Sequence, residues 1–296
     1  MVLMLIILIG QDPGIQLVIL QRENTLELVK IRKEFRGIYN MNKVTSKYNL
    51  MLRDEIIRLL INGGVVEESF TTLEDIHNNV LDESLLDYEF NSGVNGITEK
   101  LYEVDDMFLA VYYRLLKDLY HNHFKFDFYF QDTPTIRVHC PNTKNQNHYP
   151  RYHTDMQYGH PPEEINLWMS LTKNNNSGFS VVDIDDSTDW IREYNWDWDE
   201  FTKQAINSKA FNDMGDDLSD EVESSIDSIY TFEVQCIHSN QVRTEDSRVS
   251  VDFRINPVDK FVDGYVGSGR MKAEFKPGGK FGYYEKSIKE LEADWL

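Results

Sequence analysis

The sequence predicts a mainly β protein, an antiparallel sandwich or jelly roll, lying behind a mostly helical N-terminal layer. Three observations carry this. Residues up to about 125 hold long stretches with helical apolar spacing. From residue 126 the chain changes to short β-rich segments separated by turn residues, with no helix between them. No internal repeat or low-complexity linker divides the chain, so one domain is expected: a layer over 1–125, a core over 126–265 and a tail over 266–296.

In chain order, MVLMLIILIG and IQLVIL flank the turn Gln11-Asp12-Pro13-Gly14 and are expected to be two buried strands. The first run is shorter than the roughly 20 residues a bilayer span needs and lacks the basic start of a secretion signal, so a soluble, cytoplasmic protein is expected. NTLELVKIRKEF is expected to be helical, with Asn24 as its N-cap. SKYNLMLRDEIIRLLING has helical spacing and a stop at Gly63-Gly64. TLEDIHNNVLDESLLDYEF continues that character, and residues 103–124 form the best helix of this half. His77 is read as a surface residue. His121 and His123 are read as complementing the dipole of the helix end.

FDFYFQ, PTIRVHC, HYPRYHTD, EINLWMSLT and GFSVVDI then read as strands. An insert over 185–229 interrupts them, with fourteen Asp/Glu against three Lys/Arg and three of the five tryptophans: Trp190, Trp196 and Trp198. Two readings of it stand. It is a solvated acidic helical insertion packed by its tryptophans, or a lid that favours a cationic or polar substrate. Strands resume with YTFEVQCIHS and SRVSVDFRINP, and SIKELEADWL is a short C-terminal helix.

A formal net charge of −20 disfavours nucleic acid and anionic membranes as partners. Two cysteines, Cys140 and Cys236, fit a reducing compartment, with Cys236 as small core filling.

The chemistry concentrates in NHYPRYHTDMQYGHPPEEINLWMSLT. In an extended strand, residues i and i+2 share a face, so His153 and Asp155 project together. An imidazole beside a carboxylate is two thirds of a facial 2-His-1-carboxylate site. His238 lies in a later strand-like run and can supply the third ligand. Ten residues on, Arg248 and Ser250 share a strand face, a guanidinium fork and a hydroxyl suited to a dicarboxylate's far carboxylate.

PTIRVHCPN, YHTDMQYGHPPEEINLWMSLT and CIHSNQVRTEDSRVSVDFRINP together resemble the Fe(II)- and 2-oxoglutarate-dependent oxygenases. The resemblance is to their phytanoyl-CoA-dioxygenase-like branch and, within it, to streptomycin-biosynthesis-type hydroxylases. It covers roughly residues 126–184 and 230–260. It implies a double-stranded β-helix (the cupin-like jelly roll), iron held by His153, Asp155 and His238, and 2-oxoglutarate paired with Arg248, assisted by Ser250. It further implies O2 as oxidant and hydroxylation of a small polar molecule, an amino acid or antibiotic-type intermediate, with release of succinate and CO2. The alternative is a cupin-type metalloenzyme that does not use 2-oxoglutarate.

Other residues are weighed beside these. Asn166 either donates to 2-oxoglutarate or is satisfied by backbone. Arg137 either faces the pocket or is a solvated outer-face residue. Arg254 is a second candidate for the clamp or for substrate, and His160 and Trp168 are candidates for substrate contact.

Overall fold

A computed structural model describes residues 5–7, 18–20, 42–88, 94–141, 151–173, 178–223, 225–240, 245–262 and 286–293. The chain divides into two compact units, 1–39 and 40–296. In the first, β1 (Leu5–Ile7) pairs antiparallel with β2 (Val18–Leu20), Ile6 opposite Ile19. The turn expected at 11–14, the burial of these strands and the helix expected after Asn24 lie outside the described residues.

The second unit opens with β3 (Asn42–Thr45) and α1 (Tyr48–Asn62). The helix stops where expected: Gly63 N–H bonds Leu59 O, and Gly64 takes φ +66°, a left-handed conformation that glycine adopts without strain. The stretch expected to continue as helix instead forms two 3-10 turns, Leu73–Asn78 and Glu83–Leu86. Its Asp and Asn side chains compete for the backbone: Asn79 Nδ2 donates to Asp75 O at 2.7 Å, and Asp82 accepts from Ser84 N–H at 2.9 Å.

Asn95 caps α2 (Gly96–Lys100), and Asp105 caps α3 (Asp106–Leu119). The helix expected to 124 ends earlier and passes into a π turn, Tyr120–Phe124. Phe108, Val111, Tyr112, Leu115, Leu116 and Leu119 form the buried face of α3, the spacing of one helical stripe.

The core strands are β4 (Phe128–Phe130), β5 (Thr135–His139), β6 (Ile165–Ser170), β7 (Phe179–Val181), β8 (Asp220–Val222), β9 (Ser228–Glu233), β10 (His238–Asn240) and β11 (Arg248–Pro257). The larger sheet runs β3-β9-β6-β11, and β5 and β4 both pair with the far side of β11. The smaller sheet runs β10-β7-β8 and is extended by one pairing, His153 opposite His238.

Followed along the chain, β5, His153, β6, β7, β8, β9, β10 and β11 lie in the larger, smaller, larger, smaller, smaller, larger, smaller and larger sheet. The four larger-sheet members lie in the order β5-β11-β6-β9, and the smaller-sheet members in the order His153-β10-β7-β8. This is the wrapped strand order of a double-stranded β-helix, a jelly roll.

Alternation along β11 separates two environments. Val249, Val251, Phe253 and Ile255 are fully buried in one core with Ile136, Val138, Leu167, Met169 and the apolar faces of α1 and α3. The helical layer therefore packs on the outer face of the larger sheet. Arg248, Ser250, Asp252 and Arg254 occupy the opposite, polar face.

Two expected strands differ. Of HYPRYHTD, the described residues contribute the His153 pairing before a 3-10 turn, Asp155–Tyr158, begins. YTFEVQCIHS divides into β9 and β10, because the chain crosses from one sheet to the other at 234–237.

The insert is helical, as α4 (Ile184–Glu193), α5 (Trp198–Asn207) and α6 (Lys209–Leu218), but it is shorter than 185–229: residues 220–222 and 228 onward return to the sheets. Trp190 and Trp198 are buried with Phe201, Phe211, Tyr152 and Ile237, while Trp196 is 40% exposed. The C-terminal helix is α7 (Ile288–Ala293). Among the described residues, no helix is long and apolar enough to cross a membrane.

Candidate metal centre

Asp155 is not on a strand, yet the i, i+2 argument survives. Thr154 between it and His153 is extended, at φ −119° and ψ 148°. Thr154 is fixed there by donating its hydroxyl to Val234 O at 2.8 Å and by a capping box with Gln157. His153 N–H donates to His238 O at 3.0 Å, and His238 N–H to His153 O at 2.7 Å. This pairing brings the imidazole centroids to 4.4 Å. One donor atom from each of His153, Asp155 and His238 lies within 4.8 Å of the others. Among the described residues this is the sole such cluster, and His121 and His123 form none.

The hydrogen bonds select which atoms face inward. Arg254 donates to Asp155 Oδ2 at 2.8 and 3.2 Å, while Oδ1 lies 3.9 Å from His238 Nε2. His238 Nδ1 lies 2.9 Å from Cys236 O, a contact only the protonated Nδ1 can make, so in a neutral ring Nε2 is the bare lone pair. Burial would raise the Asp155 carboxyl, but Arg254 foremost and then His238 hold it well below the usual carboxylate value. Burial and the neighbouring His238 hold His153 well below the usual histidine value, so it is neutral. An ionised carboxylate and neutral imidazoles are the protonation states that bind a metal.

Around this centre the polar face of the larger sheet carries a charged network. Glu164 and Asp252 stand 4.0 and 3.8 Å from Arg254 and, with Asp155, raise its pKa against the effect of burial. His160 bonds Glu164 at 2.8 Å, and Arg137 bonds Asp252 at 3.2 Å. Arg137 is thus on the site face, not the solvated outer one. Cross-strand register explains it: Arg137 lies opposite Ser250.

Arg248 is fully buried. It donates to Gly178 O and, at 2.9 Å, to Asn240 Oδ1, and its guanidinium lies 5.8 Å from the Trp168 ring centroid. Burial pushes its pKa down to about 10. Trp168 packs with Phe179 and Tyr230. Ser250 Oγ and Asn166 Nδ2 are buried and have no hydrogen-bond partner among the described residues. The backbone-satisfied reading of Asn166 therefore does not hold for Nδ2.

Cys236 is buried core filling, its thiol pKa raised by burial. His77 is not a plain surface residue: its Nδ1 lies 2.8 Å from Ser247 Oγ, beside Arg248. His121 bonds Glu292 at 2.8 Å.

Sequence reasoning missed His139. It is 8% exposed and opposite Arg248, and its Nε2 has no partner among the described residues while Nδ1 lies 3.2 Å from the Tyr88 hydroxyl. The signal was the alternation of PTIRVHC, which places His139 on the face of Arg137. These residues fit a metal chelated by a small acid: three convergent N, N and O donors beside orphaned buried polar atoms and the buried Arg248 guanidinium.

No family model matches the chain, and no curated protein matches it. Among solved structures it is similar to EvdMO1, at 12% identity over 86% of this chain and a TM-score of 0.40; the chain spans only 55% of that protein's length. It is similar to an N-substituted L-amino acid dioxygenase from Burkholderia ambifaria AMMD in complex with alpha-KG, at 12% identity, 86% and 95% coverage and a TM-score of 0.35. The carbocyclase SnoK from nogalamycin biosynthesis is similar at 12% identity, 87% and 95% coverage and a TM-score of 0.37.

Proposed function

We propose that the chain is a non-haem iron dioxygenase that uses 2-oxoglutarate to hydroxylate a small polar molecule, releasing succinate and CO2. One observation carries this reading: the His153, Asp155 and His238 cluster, its first two members buried, faces a sheet surface bearing Arg248 and a Ser250 hydroxyl with no partner among the described residues. His153, Asp155 Oδ1 and His238 Nε2 would hold iron(II), with Arg254 retaining Asp155 Oδ2 and so orienting the carboxylate. Bound iron with 2-oxoglutarate and O2 would supply the oxidising chemistry that this chain's side chains lack. Arg248 and Ser250 would receive the distal carboxylate, and Asn166 Nδ2 is a further donor on the same face. Arg137 and His160, at the half-buried edge of the charged network, would meet a polar substrate, and Trp168, packed beside Arg248, would wall the site.

A second reading has its own observation. Arg248 already donates to Gly178 O and Asn240 Oδ1, which suits a structural guanidinium in a metalloenzyme that does not use 2-oxoglutarate. Anaerobic titration of the Fe(II)-loaded protein with 2-oxoglutarate decides between them. A saturable visible charge-transfer band is expected. Iron binding without that band selects the second reading, and absence of iron binding removes both.

A further inference from the structure

The three helices between β7 and β8 grip both histidine-bearing segments from one side. Tyr152, which precedes His153, is fully buried among Trp190, Phe211 and Ile237. Its hydroxyl donates to Asp216 Oδ1 at 3.0 Å and lies 3.1 Å from Ser219 Oγ. Gly215 of α6 lies against its ring: a Cβ there would stand 2.4 Å from a ring carbon, so the helix backbone touches the ring with no room for a methyl.

Ile237, which precedes His238, sits in the same aromatic cluster. Its N–H donates to Ser187 Oγ of α4 at 2.9 Å, and its carbonyl accepts from Val182 N–H at 2.8 Å. Gln235 Nε2 donates to Thr188 Oγ1, the neighbour of Ser187 on that helix. The two histidines themselves are joined by a single residue pair, and β10 is three residues long. Such a short ladder fixes register weakly, so their spacing depends on what anchors the flanking residues.

We propose that the 184–218 insert is the clamp that sets the separation of His153 and His238, with Gly215 and Ser187 as positioning residues acting through Tyr152 and Ile237. The inference rests on reading the cluster as a metal centre. Metal affinity is steeply sensitive to donor spacing, whereas global stability is shared across the larger helical core. A loosened clamp therefore lowers affinity out of proportion to stability.

The test is Co(II) titration of the full apo chain, followed by the visible absorption of the bound ion, beside thermal unfolding by circular dichroism. Gly215→Ala and Ser187→Ala are expected to stay folded at 25 °C, bind Co(II) at least tenfold more weakly than wild type and shift the visible band. Leu60→Ala, in the core of α1, is expected to lower the melting temperature while leaving cobalt affinity unchanged. Should Gly215→Ala fail to fold, Ser187→Ala decides alone. Wild-type affinity and band in every folded clamp variant overturns the proposal. Absence of Co(II) binding by the wild type removes the metal centre itself and the clamp with it, an outcome distinct from unchanged variants.

Discussion

Asp155 and Arg254 are 99 residues apart in sequence and 2.8 Å apart in the fold. Removing one partner of a buried ion pair leaves an uncompensated charge, at a cost of about 3–5 kcal/mol. The two partners are not equivalent. Arg254 retains Glu164 and Asp252 nearby when Asp155 is lost, whereas Asp155 has no second guanidinium on it in the described network. Arg254→Met is therefore expected to be less stable in urea than Asp155→Asn; equal losses would show that Arg254 does not hold the carboxylate.

His139 gives a pH dependence. Burial, then Arg248 and Arg137, hold its pKa well below the usual histidine value. The unfolded chain then binds a proton that the fold refuses, so stability is lost as pH falls below about 6.5, the unfolded value. The slope cannot exceed about 1.4 kcal/mol per pH unit for one proton. His139→Gln is expected to flatten the fall in apo-protein stability between pH 7 and 5. An unaltered slope assigns it elsewhere.

At the scale of elements, β11 shows how much is legible in the sequence and how much is not. The strict alternation of RVSVDFRINP marks one polar and one apolar face, and the strand has both. Which side the helices cover is not written in it, nor that Arg254 meets Asp155, because cross-strand partners are fixed by register and not by neighbours in sequence. His153, Asp155, His238, Arg248 and Ser250 are readable as residue types in order, and the fold draws the first three together.

The segments misread share a cause. TLEDIHNN and RYHTD carry Asp, Asn and Thr that bond their own backbone and divert a periodic pattern into short turns. Phe253, fully buried and edge-on to Tyr112 at 5.2 Å, ties β11 to α3. Phe253→Ala is expected to cost about 3–5 kcal/mol in urea unfolding, and a cost under about 1 kcal/mol would mean the layer and sheet are not one core.

At the scale of the molecule, the candidate metal donors come from both members of the strand pair that extends the smaller sheet, and the network behind Asp155 belongs to the larger one. An ion bound there would join the smaller sheet to the larger one through Asp155 and Arg254, and unfolding would have to release it. Binding to the native state alone stabilises by about 2.7 kcal/mol when the free ion stands at 100 times its dissociation constant. For a unit of this size that corresponds to roughly 5–10 °C in melting temperature. Mn(II), which does not oxidise in air at neutral pH as Fe(II) does, is expected to raise the wild-type melting temperature by that order, and a chelator to reverse it. Asp155→Asn is expected to lose the shift while keeping a cooperative transition, because the outer-face core that holds the sheet to its helices does not include the site. Equal shifts in wild type and Asp155→Asn would place the bound ion elsewhere on this acidic surface, and no shift in either would leave the convergent donors without a metal to explain them.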